Sequence, residues 1–248
     1  MNRIAIIIGN EGNTRNFLPG VSKDMANYKR FLQSNIGGAW EEDEIISSKS
    51  WTTPVLERVI DNLKANGIEY FLIIFSGHGY AIKGVDTYLE LQNNDDLALG
   101  TLQRWLQFNK SLIIADSCRK FIEIIEKAQA SAQIRLFSDS HAVPRYKYRE
   151  LYNKGIEGLE RYHNTFVASA ALNECAEDTD QGGLFSKTLL DLTSDIGNWS
   201  TTGIYTIKAL HPSVAEKVHV VSQGNQNPQI YPSSETLSPP FVVKPSLY

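Results

Sequence analysis

The chain predicts a doubly wound α/β fold, a mostly parallel sheet covered by helices on both faces. Three observations carry this reading: apolar runs of strand length recur along the chain, they lack polar alternation, and segments of helical periodicity separate them. Unbroken apolar runs suit strands buried on both faces. Strand, helix, strand in succession is the pattern of parallel crossover units.

Arg3 to Gly9 (RIAIIIG) reads as the first strand. Asp24 to Leu32 sets Met25, Tyr28 and Phe31/Leu32 on one helical face, and Glu44 to Ile46 adds a short strand. Thr53-Pro54-Val55 opens a second helix, with the threonine as cap and Leu56, Val59, Ile60 and Leu63 as its apolar face. Tyr70 to Phe75 (YFLIIF), Ser111 to Ala115 (SLIIA) and Thr165 to Ala171 (TFVASAA) are further strands. Leu184 to Leu192, behind Gly182-Gly183, is another helix.

Between Arg119 and His163 the rhythm breaks. Arg145, Lys147 and Arg149 follow a lone proline, and this stretch reads as an exposed loop or partly helical insertion rather than core. From Gly224 onward, five prolines and little periodicity predict extended chain over the surface. No repeat or linker divides the chain, so residues 1–248 read as one domain. Its parts are 1–118, a variable connection over 119–163, and 164–248.

A chain of 248 residues buries roughly 70–75% of its unfolded surface without a covalent staple. The net charge of −4 argues against nucleic acid or an anionic membrane surface as main partner. No run approaches the roughly 18–20 apolar residues of a membrane span, and MNRIAIIIGN lacks the longer apolar core of a secretory signal. A cytoplasmic location with reduced thiols is expected. The two cysteines, Cys118 and Cys175, exclude a disulfide scaffold, and with only five histidines no structural zinc site is expected.

Two apolar strands end in reactive residues: YFLIIF runs into Ser76-Gly77-His78-Gly79, and SLIIA into Asp116-Ser117-Cys118-Arg119. In an open α/β sheet, ligands bind outside the carboxyl ends of the strands. If the two strands are parallel neighbours, His78 and Cys118 emerge at one edge. A thiolate is a nucleophile, and an imidazole can take its proton and later deliver one to a leaving amine. Gly77 and Gly79 allow close approach of a substrate backbone and leave an N–H to face an oxyanion. Either residue alone is usually structural; the pair at two strand ends points to a cysteine hydrolase.

SGHG after one strand and DSC after the next resemble the caspase–metacaspase clan of cysteine proteases. Leu18-Pro19-Gly20-Val21-Ser22-Lys23-Asp24 is similar to the turn carrying the clan's specificity aspartate. Gly182-Gly183-Leu184-Phe185-Ser186 is similar to its late helix opening. Two departures stand out. Caspases have Gln-Ala before the cysteine where this chain has Asp116-Ser117, and metacaspases have His-Ser-Gly after it where this chain has Arg119-Lys120-Phe121.

The resemblance implies a caspase-like fold of about six strands, with Cys118 attacking the scissile carbonyl and His78 as general acid/base. The N–H groups of Gly79 and Cys118 would form the oxyanion hole. Asp24, Ser76 and Asp116 would line the specificity pocket. Two carboxylates in a cleft suit a cation, so the expected substrates are proteins or peptides cut after Arg or Lys. The basic residues Arg135, Arg145, Lys147 and Arg149 in the 119–163 connection are then candidates for self-cleavage. No cofactor is needed for this chemistry. Relatives commonly take calcium as an activator, but Asp95-Asp96 offers too few oxygens for a calcium loop. A bacterial defence or cell-death role follows only from the relatives. A second reading keeps the fold as a binding module for a regulator protein or small signalling ligand. A third, a hydrolase of small molecules, has least behind it.

Overall fold

The computed structural model describes residues 1–121, 143–197 and 201–246. β1 (Arg3–Asn10) is followed by α1 (Val21–Gln33), β2 (Ile45–Ser48), α2 (Thr53–Ala65) and β3 (Tyr70–Gly77). A three-stranded antiparallel excursion comes next: β4 (Gly79–Ile82), β5 (Asp86–Glu90) and β6 (Asp96–Ala98). α3 (Leu99–Leu106) then leads to β7 (Lys110–Asp116), and α4 (Arg145–Glu157) to β8 (Asn164–Ala168). β9 (Asp178–Thr179) and β10 (Gly182–Gly183) form a small antiparallel pair ahead of α5 (Leu184–Gly197). β11 (Gly203–Thr206), α6 (Ile207–Val221), β12 (Gln229–Pro232) and β13 (Pro240–Lys244) complete the order.

The main sheet has six strands in the order β12-β8-β7-β3-β1-β2, with only β12 antiparallel to its neighbour. The long strands are apolar throughout because both faces are covered. In β3, Tyr70, Leu72 and Ile74 pack into one cluster with α1, α4, α5 and α6, while Phe71, Ile73 and Phe75 pack into another with α2 and α3. The expected fold class, a mostly parallel six-stranded sheet flanked on both sides, is the one observed.

Three local expectations are corrected. Residues 145–157 take the helical alternative, but as a helix docked on the core and not as an exposed insertion: Tyr148, Tyr152 and Ile156 recur every four residues and are buried. The proline-rich tail does not simply cover the surface. Phe241, Val242 and Val243 of β13 are fully buried, and the strand pairs with β11. Finally, Thr53 does not cap α2 with its side chain; its own N–H donates to the Asp95 carboxylate at 2.5 Å.

A buried cation lies at the far end of the sheet. Arg3 is sealed between the rings of Trp40, 4.1 Å away, and Tyr152, 5.1 Å away. It donates to the Gly38 carbonyl at 2.8 Å and pairs with Glu44 at 3.5 Å. Desolvation lowers its pKa, against the pull of Glu44.

Candidate active site

β3 and β7 are parallel neighbours, and their last paired residues are Ser76 and Asp116. His78 and Cys118 each follow two residues later, so the register delivers both to the carboxyl edge of the sheet at the same level. Both line one cleft of about 850 Å³, with Asp24, Ser76, Gly79 and Asp116 also in its wall.

The two turns stay in contact beyond the strands. Ala81 of β4 donates its N–H to the Lys120 carbonyl at 2.9 Å, and Ala81 and Phe121 form a parallel bridge. A Cβ on Gly79 would stand 2.9 Å from Ser117 Oγ and 2.8 Å from the Tyr88 carbonyl oxygen. Glycine at 79 is therefore a packing requirement: it lets the histidine turn close onto the cysteine turn.

His78 is held from behind. Its Nε2 lies 2.6 Å from the Asn16 carbonyl oxygen, in the loop between β1 and α1. A carbonyl only accepts, so Nε2 carries the hydrogen in this contact, and the neutral ring keeps Nδ1 as its acceptor. A base oriented by a third group is the arrangement that nucleophilic catalysis requires. No side-chain pattern in the sequence singles out Asn16, because its contribution is main chain.

Cys118 is mostly buried, and its thiol donates to the Ala176 carbonyl at 3.8 Å. Hydrogen bonding to the Cys175 thiol and burial both push its pKa well up, and the Asp116 charge adds to this. These surroundings favour the thiol over the thiolate at Cys118.

Arg119, the departure from the metacaspase pattern, is buried and extends away from the cleft. Its guanidinium donates to Thr87 Oγ1 at 3.1 Å, to the Ala170 carbonyl at 3.2 Å and to Tyr231 Oη at 3.3 Å. It lies over the rings of Phe166 and Tyr231, at 5.8 and 5.7 Å. This one side chain ties the turn after Cys118 to β5, the end of β8, and β12.

The floor of the cleft is acidic. Asp24, on the first turn of α1, accepts from Ser76 Oγ at 2.7 Å and from Gly183 N–H at 3.1 Å. Asp116 accepts from Ser186 N–H at 3.0 Å, capping α5. Gly182 and Gly183 make this possible: a Cβ on Gly182 would meet Asp24 at 2.3 Å, and one on Gly183 would meet Asp116 at 2.4 Å. Burial raises both carboxyls, and the Asp116 charge raises Asp24 further; the hydrogen bonds from Ser76, Gly183 and Ser186 only partly offset this. Glu177 and Asp178 reach the same cleft, while Asp180 is exposed outside it.

The candidate self-cleavage residues are not part of the cleft. Arg145 and Arg149 lie on α4, where Arg145 donates to the Trp40 carbonyl at 2.9 Å and Arg149 pairs with Glu44 at 2.5 Å. Lys147 is on the same helix. Arg135 lies outside the described residues. Asp95 and Asp96 are engaged by Thr53 N–H and Tyr80 Oη. Among the described residues no group of three or more His, Cys, Asp or Glu side chains is placed to hold a metal, and no helix is long and apolar enough to cross a membrane.

Comparisons with known proteins agree with this architecture. No curated protein has significant sequence similarity to the chain. A crystal structure of a Geobacter sulfurreducens protein is similar with a TM-score of 0.59 and 16% identity, covering 99% of this chain and 100% of that one. Caspase-1 from Spodoptera frugiperda is similar with a TM-score of 0.60 and 12% identity, covering 93% of this chain and 87% of that one. A family model described as the caspase domain matches residues 2–238. With nearly the whole chain matched and the six-stranded sheet in place, the protein belongs to the caspase-domain family of cysteine peptidases.

Proposed function

We propose that this chain is a cysteine endopeptidase that cuts after Arg or Lys, with Cys118 as nucleophile and His78 as general acid/base. The observation that carries the reading is the shared register: a thiol and an oriented imidazole two residues past the Ser76–Asp116 pair, above two buried carboxylates.

The proton inventory is simple. Cys118 gives its proton to Nδ1 of His78 while Asn16 holds Nε2–H, and the sulfur attacks the scissile carbonyl carbon. The oxyanion faces the N–H groups of Gly79 and Cys118; one such donor is worth about 2.7–4 kcal/mol. His78 then protonates the leaving amine. Water, deprotonated by His78, attacks the thioester and restores the thiol.

Asp24 and Asp116 set the specificity. Burial makes both resist ionisation, and an arriving guanidinium or ammonium supplies the charge that stabilises them as carboxylates. The hydrogen bond from the Cys118 thiol to the Ala176 carbonyl supports a latent enzyme, in which substrate or an activator draws Cys118 away from Ala176 and Cys175. Fluorogenic peptides ending in Arg, Lys or Asp, offered to wild type and Cys118→Ala, test the reading. Cleavage after Arg and Lys only by wild type is expected. Preference for Asp overturns the specificity, and no cleavage under any activating condition turns the weight to a binding module.

A further inference from the structure

The chain has two cysteines, and the fold brings both to one wall of the cleft. Just past β7 the backbone runs beside residues 173–176 in the opposite direction. Arg119 N–H donates to the Glu174 carbonyl at 2.8 Å and Asn173 N–H to the Arg119 carbonyl at 2.9 Å. One residue back, the Cys118 thiol donates to the Ala176 carbonyl at 3.8 Å. These contacts bracket Cys175 from both sides, placing it opposite Cys118. The two thiols are in hydrogen-bonding reach of each other, and both are partly exposed. Opposed antiparallel segments joined by such bonds have Cα atoms about 4.5–5.5 Å apart, within the range that a disulfide spans.

We propose that Cys118 and Cys175 form a reversible intramolecular disulfide that switches the cleft off, with a hydroperoxide as oxidant. Cys118 gives its proton to His78 and its sulfur attacks a peroxide oxygen; the O–O bond breaks, and a sulfenic acid and hydroxide form. The second thiolate attacks the sulfenic sulfur and expels hydroxide. Two thiols and one hydrogen peroxide thus give one disulfide and two waters, with two electrons passing from sulfur to oxygen. A dithiol reverses the bond by exchange. Oxidation of Cys118 alone would continue to sulfinic acid, which such a reductant does not restore. Cys175 therefore acts as a resolving thiol that protects the nucleophile. The regulatory half of this inference rests on Cys118 being the nucleophile; the bridge itself does not.

The full chain is treated with hydrogen peroxide and mapped without reduction by mass spectrometry, alongside activity on an Arg peptide. The expected result is a linked peptide pair containing Cys118 and Cys175 in the monomer, activity lost in proportion to it, and both reversed by dithiothreitol. Cys175→Ser should instead yield sulfinic Cys118 that dithiothreitol does not reverse. Separate oxidation of the two thiols in wild type, or a bridge between two chains, overturns the proposal. A bridge that leaves activity untouched overturns the switch. A bridged chain that cuts no peptide even when reduced overturns the endopeptidase reading and leaves the bridge standing.

Discussion

The Asn16 carbonyl oxygen stands 2.6 Å from Nε2 of His78, and Gly12 packs beneath the same nitrogen. A Cβ at position 12 would lie 2.6 Å from Nε2 and 2.7 Å from the Asn16 oxygen, on a backbone with φ of +74°. Gly12→Ala should therefore turn the imidazole without touching the acidic floor. A misplacement of this kind costs on the order of 100-fold in rate. The fall should appear in kcat with KM for an Arg peptide little changed; an equal rise in KM would show that residue 12 acts on binding instead.

Asp24 and Asp116 make stability fall as pH rises. Both carboxyls titrate higher in the folded chain than in the unfolded one, so the folded state keeps protons that the unfolded state releases. The contribution is fully present below the ordinary aspartate pKa of about 3.9 and is lost as pH climbs through the folded-state values. The slope is at most about 1.4 kcal/mol per pH unit for each proton held. Urea unfolding across pH should show this decline, with a shallower one in Asp116→Asn. The same substitution should raise KM for Arg peptides by about 10- to 100-fold, in keeping with loss of one charged hydrogen-bond partner.

Arg119 should behave as a positioning residue. Arg119→Ala removes three donated bonds and leaves Thr87, Tyr231 and the Ala170 carbonyl without them. Each charged hydrogen bond is worth about 1.5–3 kcal/mol, so a lower melting temperature and a lower kcat are expected. Lys lacks the planar fork, and Arg119→Lys should recover stability better than rate. Equal recovery of both would mean that Arg119 serves the fold alone.

Self-processing should occur at Arg135 and not on α4. A protease cleft takes extended chain, whereas Arg145 and Arg149 are helical and held by Trp40 and Glu44. Mass spectrometry of purified wild type should find the cut after Arg135 and none after Arg145, Lys147 or Arg149, while Cys118→Ala stays intact. A cut within 145–149 would show that α4 unwinds first.

The tail carries core. Phe241 is fully buried and stacks on Phe31 with ring centroids 4.9 Å apart. Phe241→Ala should cost about 3–5 kcal/mol, read by chemical denaturation; a loss under 1 kcal/mol would show that the tail is dispensable.

Residues with distinctive chemistry on fully covered strands were readable in the sequence. β1, β3 and β7 announce themselves because burial on both faces removes every polar residue from their middles, and His78 and Cys118 are conspicuous where those runs stop. What escaped reading depends on groups that every residue has, or on context. Asn16 acts through its carbonyl. Arg119 looks like a surface cation, yet the rings of Phe166 and Tyr231 make a buried place for it. α4 buries only one narrow stripe of tyrosine and isoleucine among charges, so its composition reads as loop. β13 hides between prolines, which are tolerated because among the described strands it pairs with the short β11 alone. Cys175 reads by default as a buried structural thiol, with a place at the edge of the cleft as the alternative, and the fold takes the second, against Cys118.

β7 and β8 are adjacent in the sheet, paired from Ser111–Asn164 to Ala115–Ala168, yet they lie on opposite sides of segment 122–142 in the chain. α4 likewise packs with β1 and β3 in one cluster. A single peptide bond opened within 122–142 would therefore break no ladder between the described strands. The product would be a two-chain assembly joined along the β7–β8 seam of a shared sheet, four strands on one side and two on the other, with Cys118 on the first chain and the acid-binding glycines on the second.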